Sequence, residues 1–191
     1  MEWTDEAAVA SVKSGDTDAF RTLVERHSRS VFRLAYRMIG NEQDAEDVVQ
    51  ESFLRAFRQL QYFDGRASFR TWLYRIVANC SLDVLRKNSR SRQSFSGSDD
   101  GMNDFLLSVP ATDPTPDRIA QSSQMREHLD AAMQTLTPTE RSAFVLRHFE
   151  GLSIEDISGI LACGPVAARH SIFRAVQKLR RALQPVMGGT R

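Results

Sequence analysis

After Gly15-Asp16, the residues Phe20, Leu23, Val24, His27, Val31, Leu34, Ala35 and Met38 recur at spacings of three and four. That period draws one apolar stripe on a helix, and Gly40-Asn41 offers it a left-handed end. A second helical pattern turns Ala45, Val48, Val49, Phe53, Ala56, Phe57 and Leu60 inward. Its outer face carries Glu42, Asp44, Glu46, Asp47, Glu51, Arg55 and Arg58, with the early acids placed where a helix dipole favours them. A third starts near Ser68 and repeats Phe69, Trp72, Leu73, Ile76, Val77, Cys80 and Val84. Three or four helices of this kind build one small core. From Asn88 to Ser123 the period fails and Ser, Asp, Gly and Pro dominate, which predicts a flexible linker between two domains. Beyond it, Thr137-Pro138-Thr139-Glu140 spells a capping box ahead of Ala143, Phe144, Leu146 and Phe149. Ser153-Ile154-Glu155-Asp156 caps a short helix through Ile157, Ile160 and Leu161 that stops at Ala162-Cys163-Gly164, and Pro165 opens another with the stripe Ile172, Phe173, Val176, Leu179 and Leu183. The expectation is an all-α chain with domains at 1–88 and 124–191 and a linker over 89–123, the second domain a helix-turn-helix.

Charge sharpens the picture because it alternates by segment although the net charge is only +1 over 191 residues. Residues 1–19 hold five acids and one Lys. From Arg66 to Arg92 there are seven basic residues against one acid, Asp83, and residues 93–124 hold five Asp and one Arg. The basic stretch begins among five aromatics, Tyr62, Phe63, Phe69, Trp72 and Tyr74. Rings stack on bases for roughly 1–3 kcal/mol each, and Lys or Arg displaces counterions from phosphates, so this mixture suits unpaired nucleic acid. A solvated basic face on an ordinary amphipathic helix would carry similar residues. The last helix is basic too, with Arg169, His170, Arg174, Lys178, Arg180 and Arg181 around its stripe, and the short turn before it fits a reading helix for duplex DNA. A generic three-helix bundle is the plainer alternative.

Several classes of function lack their residues. No run of about 18 apolar residues is present to span a membrane, and the acidic start is unlike a signal peptide, so a cytoplasmic location without membrane insertion is expected. Cys80 and Cys163 form no CxxC pair and read as small apolar residues rather than a disulfide or zinc site. No phosphate-cradling glycine motif, HExxH or nucleophile with a base occurs, so no catalysis, no cofactor and no metal is expected.

The stretches Asp44 to Phe57 (DAEDVVQESFLRAF), Phe69 to Asn79 (FRTWLYRIVAN) and Leu136-Thr137-Pro138 followed by Glu150-Gly151-Leu152-Ser153 together resemble the extracytoplasmic-function (ECF) class of bacterial RNA polymerase sigma factors, sigma-E-like members included. The resemblance covers nearly the whole chain. It implies that Asp44, Asp47, Gln50, Glu51 and Arg55 dock on the clamp of the largest subunit of core RNA polymerase. It also implies that the loop from Phe63 through Asp64 and Arg66 to Ser68 holds a flipped non-template base of the minus-ten element, while Arg70, Trp72, Arg75, Asn79 and Arg86 follow the strand. Phe69 and Trp72 fit a core as well as a stacking role. Arg169, His170 and Ser171 would read the minus-thirty-five duplex, with Arg174 and Lys178 on phosphates. At that helix the family commonly has a Pro-Val-Gly-Thr-Val-Lys-Ser-Arg type of run, whereas this chain has Gly164-Pro165-Val166-Ala167-Ala168-Arg169-His170-Ser171, with Ala167 and Ser171 where hydroxylated or basic residues are usual.

The function so implied is a specificity subunit that recruits polymerase, opens the promoter by binding energy alone, and is held by a cognate anti-sigma protein. Two rivals come from other classes. A stand-alone helix-turn-helix regulator would bind operators without polymerase, and a small nuclease would use Glu46, Asp47 and Glu51 with a metal.

Overall fold

The computed structural model describes residues 4–94 and 128–187. Residues 89–94 of the expected linker belong to the helix that ends at Ser94, and residues 95–123 lie outside the described residues. The chain divides into two compact units, Met1–Ser96 and Gly97–Arg191. Among the described residues every regular element is a helix.

The first unit begins with α1, Asp5–Lys13, a helix that the apolar period did not announce. Thr4 caps it by accepting from the Ala7 N–H at 3.2 Å, Asp5 and Glu6 occupy its first turn, and only Ala8, Val9 and Val12 are buried. Three small apolar positions make too thin a stripe to stand out; packing against α2 holds the helix. Helix α2 spans Ala19–Ile39 and ends, as expected, on Gly40 at φ 81°, a conformation that glycine takes without steric cost. One residue on, the Asn41 side chain accepts from the Asp44 N–H at 2.8 Å and starts α3, Glu42–Gln59. A single 3-10 turn, Leu60–Tyr62, and a loop lead to α4, Phe69–Ser94. Leu23, Val31, Leu34 and Met38 of α2, Val48 and Ala56 of α3, and Leu73, Tyr74 and Val77 of α4 are almost fully enclosed. Full burial of each such large side chain is worth about 1.5–3 kcal/mol, which is what fixes the three helices to one another.

One inward expectation fails here. Phe57 is 40% exposed: at the end of α3 its ring meets Phe20 of the first turn of α2, ring centroids 5.1 Å apart, and part of it faces solvent.

In the second unit, α5 (residues 128–134) precedes the capping box. That box forms as the sequence predicts: the Thr137 hydroxyl accepts from the Glu140 N–H at 3.3 Å, and the Thr137 N–H donates to the Glu140 carboxylate at 3.0 Å. Helix α6 runs Pro138–His148 and α7 Ile154–Leu161, the latter capped by Ser153. The turn after α7 takes its left-handed residue from Ala162, φ 49°, and not from Gly164. Helix α8, Pro165–Met187, then packs on both α6 and α7. Its buried positions are Ala168, Ala175 and Leu179. Phe173, two residues from Ala175 and so about 200° around the helix, is turned outward and 62% exposed, against the expected stripe. Phe149, also expected inside, is 43% exposed and rests edge-on against Phe144 past the end of α6.

Candidate nucleic-acid interface

The loop between the 3-10 turn and α4 is held by its own side chains. Asp64 accepts from the Arg66 N–H at 3.1 Å and pairs with the Arg66 guanidinium at 3.0 Å, while Gly65 sits at φ 74°. A Cβ on Gly65 would meet nothing within 4 Å, so glycine is required there by backbone angle and not by space. Ser68 closes the loop by accepting from the Thr71 N–H at 3.2 Å as α4 begins. Three rings form the wall behind: Phe63 lies 6.1 Å from Phe69 and 5.1 Å from Trp72, and Phe69 lies 5.7 Å from Trp72. Phe69 is only 3% exposed and backs onto His27 at 5.4 Å, so it belongs to the core; Trp72 and Phe63 are half-buried. Against this wall opens a cavity of about 280 Å³ lined by Glu6, Val9, Phe63, Gly65, Arg66, Ala67, Ser68 and Phe69.

Along α4, Trp72, Arg75, Asn79 and Arg86 fall at offsets of 3, 7 and 14, one stripe of the helix. Arg75 is half-buried, Asn79 is exposed, and Arg86 is exposed with its guanidinium 3.5 Å from Asp83. Arg70 stands apart from that stripe, two residues from Trp72. Its guanidinium lies over the buried Tyr74 ring, 5.0 Å from the centroid, and donates to the Tyr74 hydroxyl at 3.1 Å. Tyr62 is the most exposed large apolar side chain of this unit at 86%, and the expected site did not include it. Its place as the first of the five aromatics of the aromatic run was the available signal.

The acidic face of α3 is intact. Asp47 and Gln50 are exposed, while Asp44 is half-buried and accepts from the Asn88 side chain at 3.1 Å. Arg55 donates to Glu51 at 2.5 Å and approaches Asp83 at 3.9 Å. The hydrogen bond to Glu51 raises the Arg55 guanidinium further above its ordinary range, so Arg55 stays charged. Among the described residues no three His, Cys, Asp or Glu converge as a metal site, and no helix is long and apolar enough to cross a membrane.

In the second unit, residues 162–164 join α7 to α8 in a helix-turn-helix. Arg169, His170 and Arg174 are exposed. Ser171 is half-buried and donates its hydroxyl to the Ala167 carbonyl at 3.0 Å, and Lys178 is half-buried in an ion pair with Glu140 at 2.6 Å. Two apolar side chains stand open on α8, Val166 at 63% and Phe173 at 62%, and neither was singled out for contact.

A basic helix-turn-helix and a second helical module with a basic, ring-lined face define a DNA-binding transcription protein of two modules. Residues 23–91 match the Sigma-70 region 2 family and residues 126–179 the Sigma-70 region 4 family. The chain is 40% identical over 185 residues to the ECF RNA polymerase sigma factor SigE of Mycolicibacterium smegmatis, covering 94% of this chain and 69% of that one. It is 34% identical to the ECF RNA polymerase sigma-E factor of Haemophilus influenzae, covering 96% and 97%. Similar solved structures are the sigma factor RpoE in complex with the anti-sigma factor NepR from Bartonella quintana, TM-score 0.65 at 22% identity over 86% of this chain and 96% of that one, and CnrH in complex with the cytosolic domain of CnrY, TM-score 0.62 at 26% identity over 95% and 97%. The chain belongs to the ECF RNA polymerase sigma factor family. It is an alternative sigma factor, a transcription initiation factor that works with core RNA polymerase and promoter DNA. A stand-alone regulator would leave the region 2 match without a purpose.

Proposed function

We propose that promoter opening by this sigma factor is carried by the α4 stripe and the cavity beside it. A non-template base leaves the duplex and enters the cavity between Phe63 and Phe69, while Arg75, Asn79 and Arg86 hold the strand that follows. Unstacking a base costs a few kcal/mol, and the aromatic wall together with phosphate contacts offsets it. The observation that carries this reading is the cavity itself, lined by the rings of Phe63 and Phe69 at the head of a basic helix stripe. The Asp47, Gln50 and Glu51 side of α3 docks on the clamp of core polymerase. Arg169 and His170 reach base edges of the minus-thirty-five duplex, with Val166 and Phe173 available to thymine methyl groups. Arg174 takes phosphate, and Lys178, already paired to Glu140, serves the fold as much as DNA. The protein performs no chemistry and needs no cofactor, acts in the cytoplasm, and is restrained by an anti-sigma protein, as the sigma factor RpoE is bound by the anti-sigma factor NepR. Residues 95–123, beyond the end of α4, join the two modules.

Run-off transcription with core polymerase on promoters of the source genome tests the whole reading. Wild type initiates, Asp47→Lys loses core affinity with unchanged helicity, and Arg75→Ala with Asn79→Ala loses open complex while retaining core binding. Unchanged open-complex formation in the second variant overturns the site assignment.

A further inference from the structure

Helix α1 forms part of the same cavity, and this inference rests on the reading of that cavity as a base pocket. Glu6, Val9 and Lys13 are spaced three and four apart and therefore share one face of α1. Val9 is 7% exposed and lines the cavity together with Glu6. Lys13 donates to the Phe63 carbonyl at 2.5 Å, its ammonium 5.9 Å from the centre of the Phe63 ring. At the other end of the helix, Asp5 accepts from Arg26 at 2.6 Å and pairs with the ring of His27 at 2.8 Å, and that ring rests on Phe69. Both ends of α1 are thus tied to the two phenylalanines that bound the loop. Rigid elements hold recognition groups more precisely than loops do. What α1 brings into this frame is one carboxylate. The Glu6 carboxylate makes no ion pair or hydrogen bond to the described residues, whereas Arg66 across the cavity is already engaged by Asp64.

We infer that Glu6 is a specificity-determining residue of the base pocket, accepting a hydrogen bond from the exocyclic amino group of the captured base. A carboxylate can only accept at neutral pH, so at the N4/N6 position it favours the amino group of cytosine or adenine and opposes thymine and guanine, which present a carbonyl oxygen there. It also repels phosphate, which keeps the backbone on the Arg75 side.

The test uses holoenzyme assembled from the full chain and core polymerase, with a randomised single-stranded non-template pool that is bound, recovered and sequenced. Wild type enriches cytosine or adenine over thymine at one position by about tenfold, the worth of one good polar contact to a base. Replacing that base by 2-pyrimidinone, or adenine by purine, removes the amino group and tells the two bases apart; either loss of affinity supports the assignment. Glu6→Ala flattens the preference at that position alone, and Glu6→Gln admits thymine because its amide N–H donates to the thymine carbonyl. No amino-base position in wild type, or an unchanged profile in Glu6→Gln, overturns the inference. Phe63→Ala separates the two levels of the argument. If it lowers pool affinity while the Glu6 variants keep the wild-type profile, only the Glu6 assignment fails; if it leaves affinity unchanged, the base pocket itself fails.

Discussion

The ammonium of Lys178, on the helix whose exposed face carries Arg169 and Arg174, lies 2.6 Å from Oε2 of Glu140, the carboxylate that closes the capping box of α6. Glu140 is nearly enclosed, and its carboxyl is held below the ordinary 4.5: burial pushes it up, but the hydrogen bonds from Lys178 and Thr137 outweigh that. The orientation of the recognition helix is therefore coupled to a cap at the start of the module.

Lys178→Met leaves Glu140 enclosed without its cation and is expected to destabilise the second unit by about 1–2 kcal/mol, less than a fully buried pair because Lys178 is partly solvated. Both tryptophans, Trp3 and Trp72, belong to the first unit, so the loss appears in circular dichroism melts and leaves the tryptophan-fluorescence midpoint in place. Because the folded pKa of Glu140 lies below its unfolded value, its contribution is complete above the ordinary 4.5 and is lost as pH falls through the folded value. The variant consequently shows a shallower acid limb than wild type. Glu140→Gln, which keeps the capping geometry, costs less; a larger loss than in Lys178→Met contradicts this account.

Phe69 and Tyr62 separate packing from stacking. Phe69→Ala empties a core site and lowers the stability of the first unit by about 3–5 kcal/mol. Tyr62→Ala, at a side chain 86% exposed, shifts stability by no more than about 0.5 kcal/mol. If Tyr62 stacks on a base of the opened strand, that same variant weakens single-strand binding by about 1–3 kcal/mol. Fluorescence titration beside urea unfolding reads both, and equal single-strand affinity for Tyr62→Ala and wild type removes Tyr62 from the interface.

Ala162 holds a left-handed backbone that L-alanine adopts at a cost of about 1–2 kcal/mol. Glycine removes that cost but gains freedom in the unfolded chain, so Ala162→Gly is expected to stabilise the second unit by about 0.5 kcal/mol. A lower melting midpoint in circular dichroism would show that the Ala162 methyl contributes packing that outweighs its strain.

Arg169 and Arg174 differ in what they report. Arg174→Ala weakens duplex binding about equally across sequences and reduces the salt slope by roughly one. Arg169→Ala relaxes base preference at one position of the minus-thirty-five element. Competition with permuted duplexes at two salt concentrations distinguishes them, and identical behaviour of the two variants rejects the division of roles.

The long helices were legible because their apolar positions repeat over several turns, and several caps because Thr137, Glu140, Ser153 and Gly40 do local work that needs no partner beyond three or four residues; the Asn41 cap of α3 was not read. The candidate strand-binding residues Trp72, Arg75, Asn79 and Arg86 came from the family resemblance, and the helical period then sets them on one face. Helix α1 was not legible, having too few apolar positions to form a stripe, and neither was its place beside the cavity. The outward turns of Phe57, Phe149 and Phe173 escaped the pattern because hydrophobicity counts a ring as inward wherever it stands. Whether a ring is enclosed depends on what the neighbouring helix offers at that height, and that is set by packing between elements distant in sequence. On its own the sequence therefore set the long helices, the caps at Gly40, Thr137 and Ser153, and the family the chain belongs to, but not the end of α4 at Ser94. Only the tertiary structure decided that Phe69 is core, that Lys178 is tied to Glu140, and that Glu6 meets the loop some sixty residues away, since each of these depends on long-range contacts that no local period encodes.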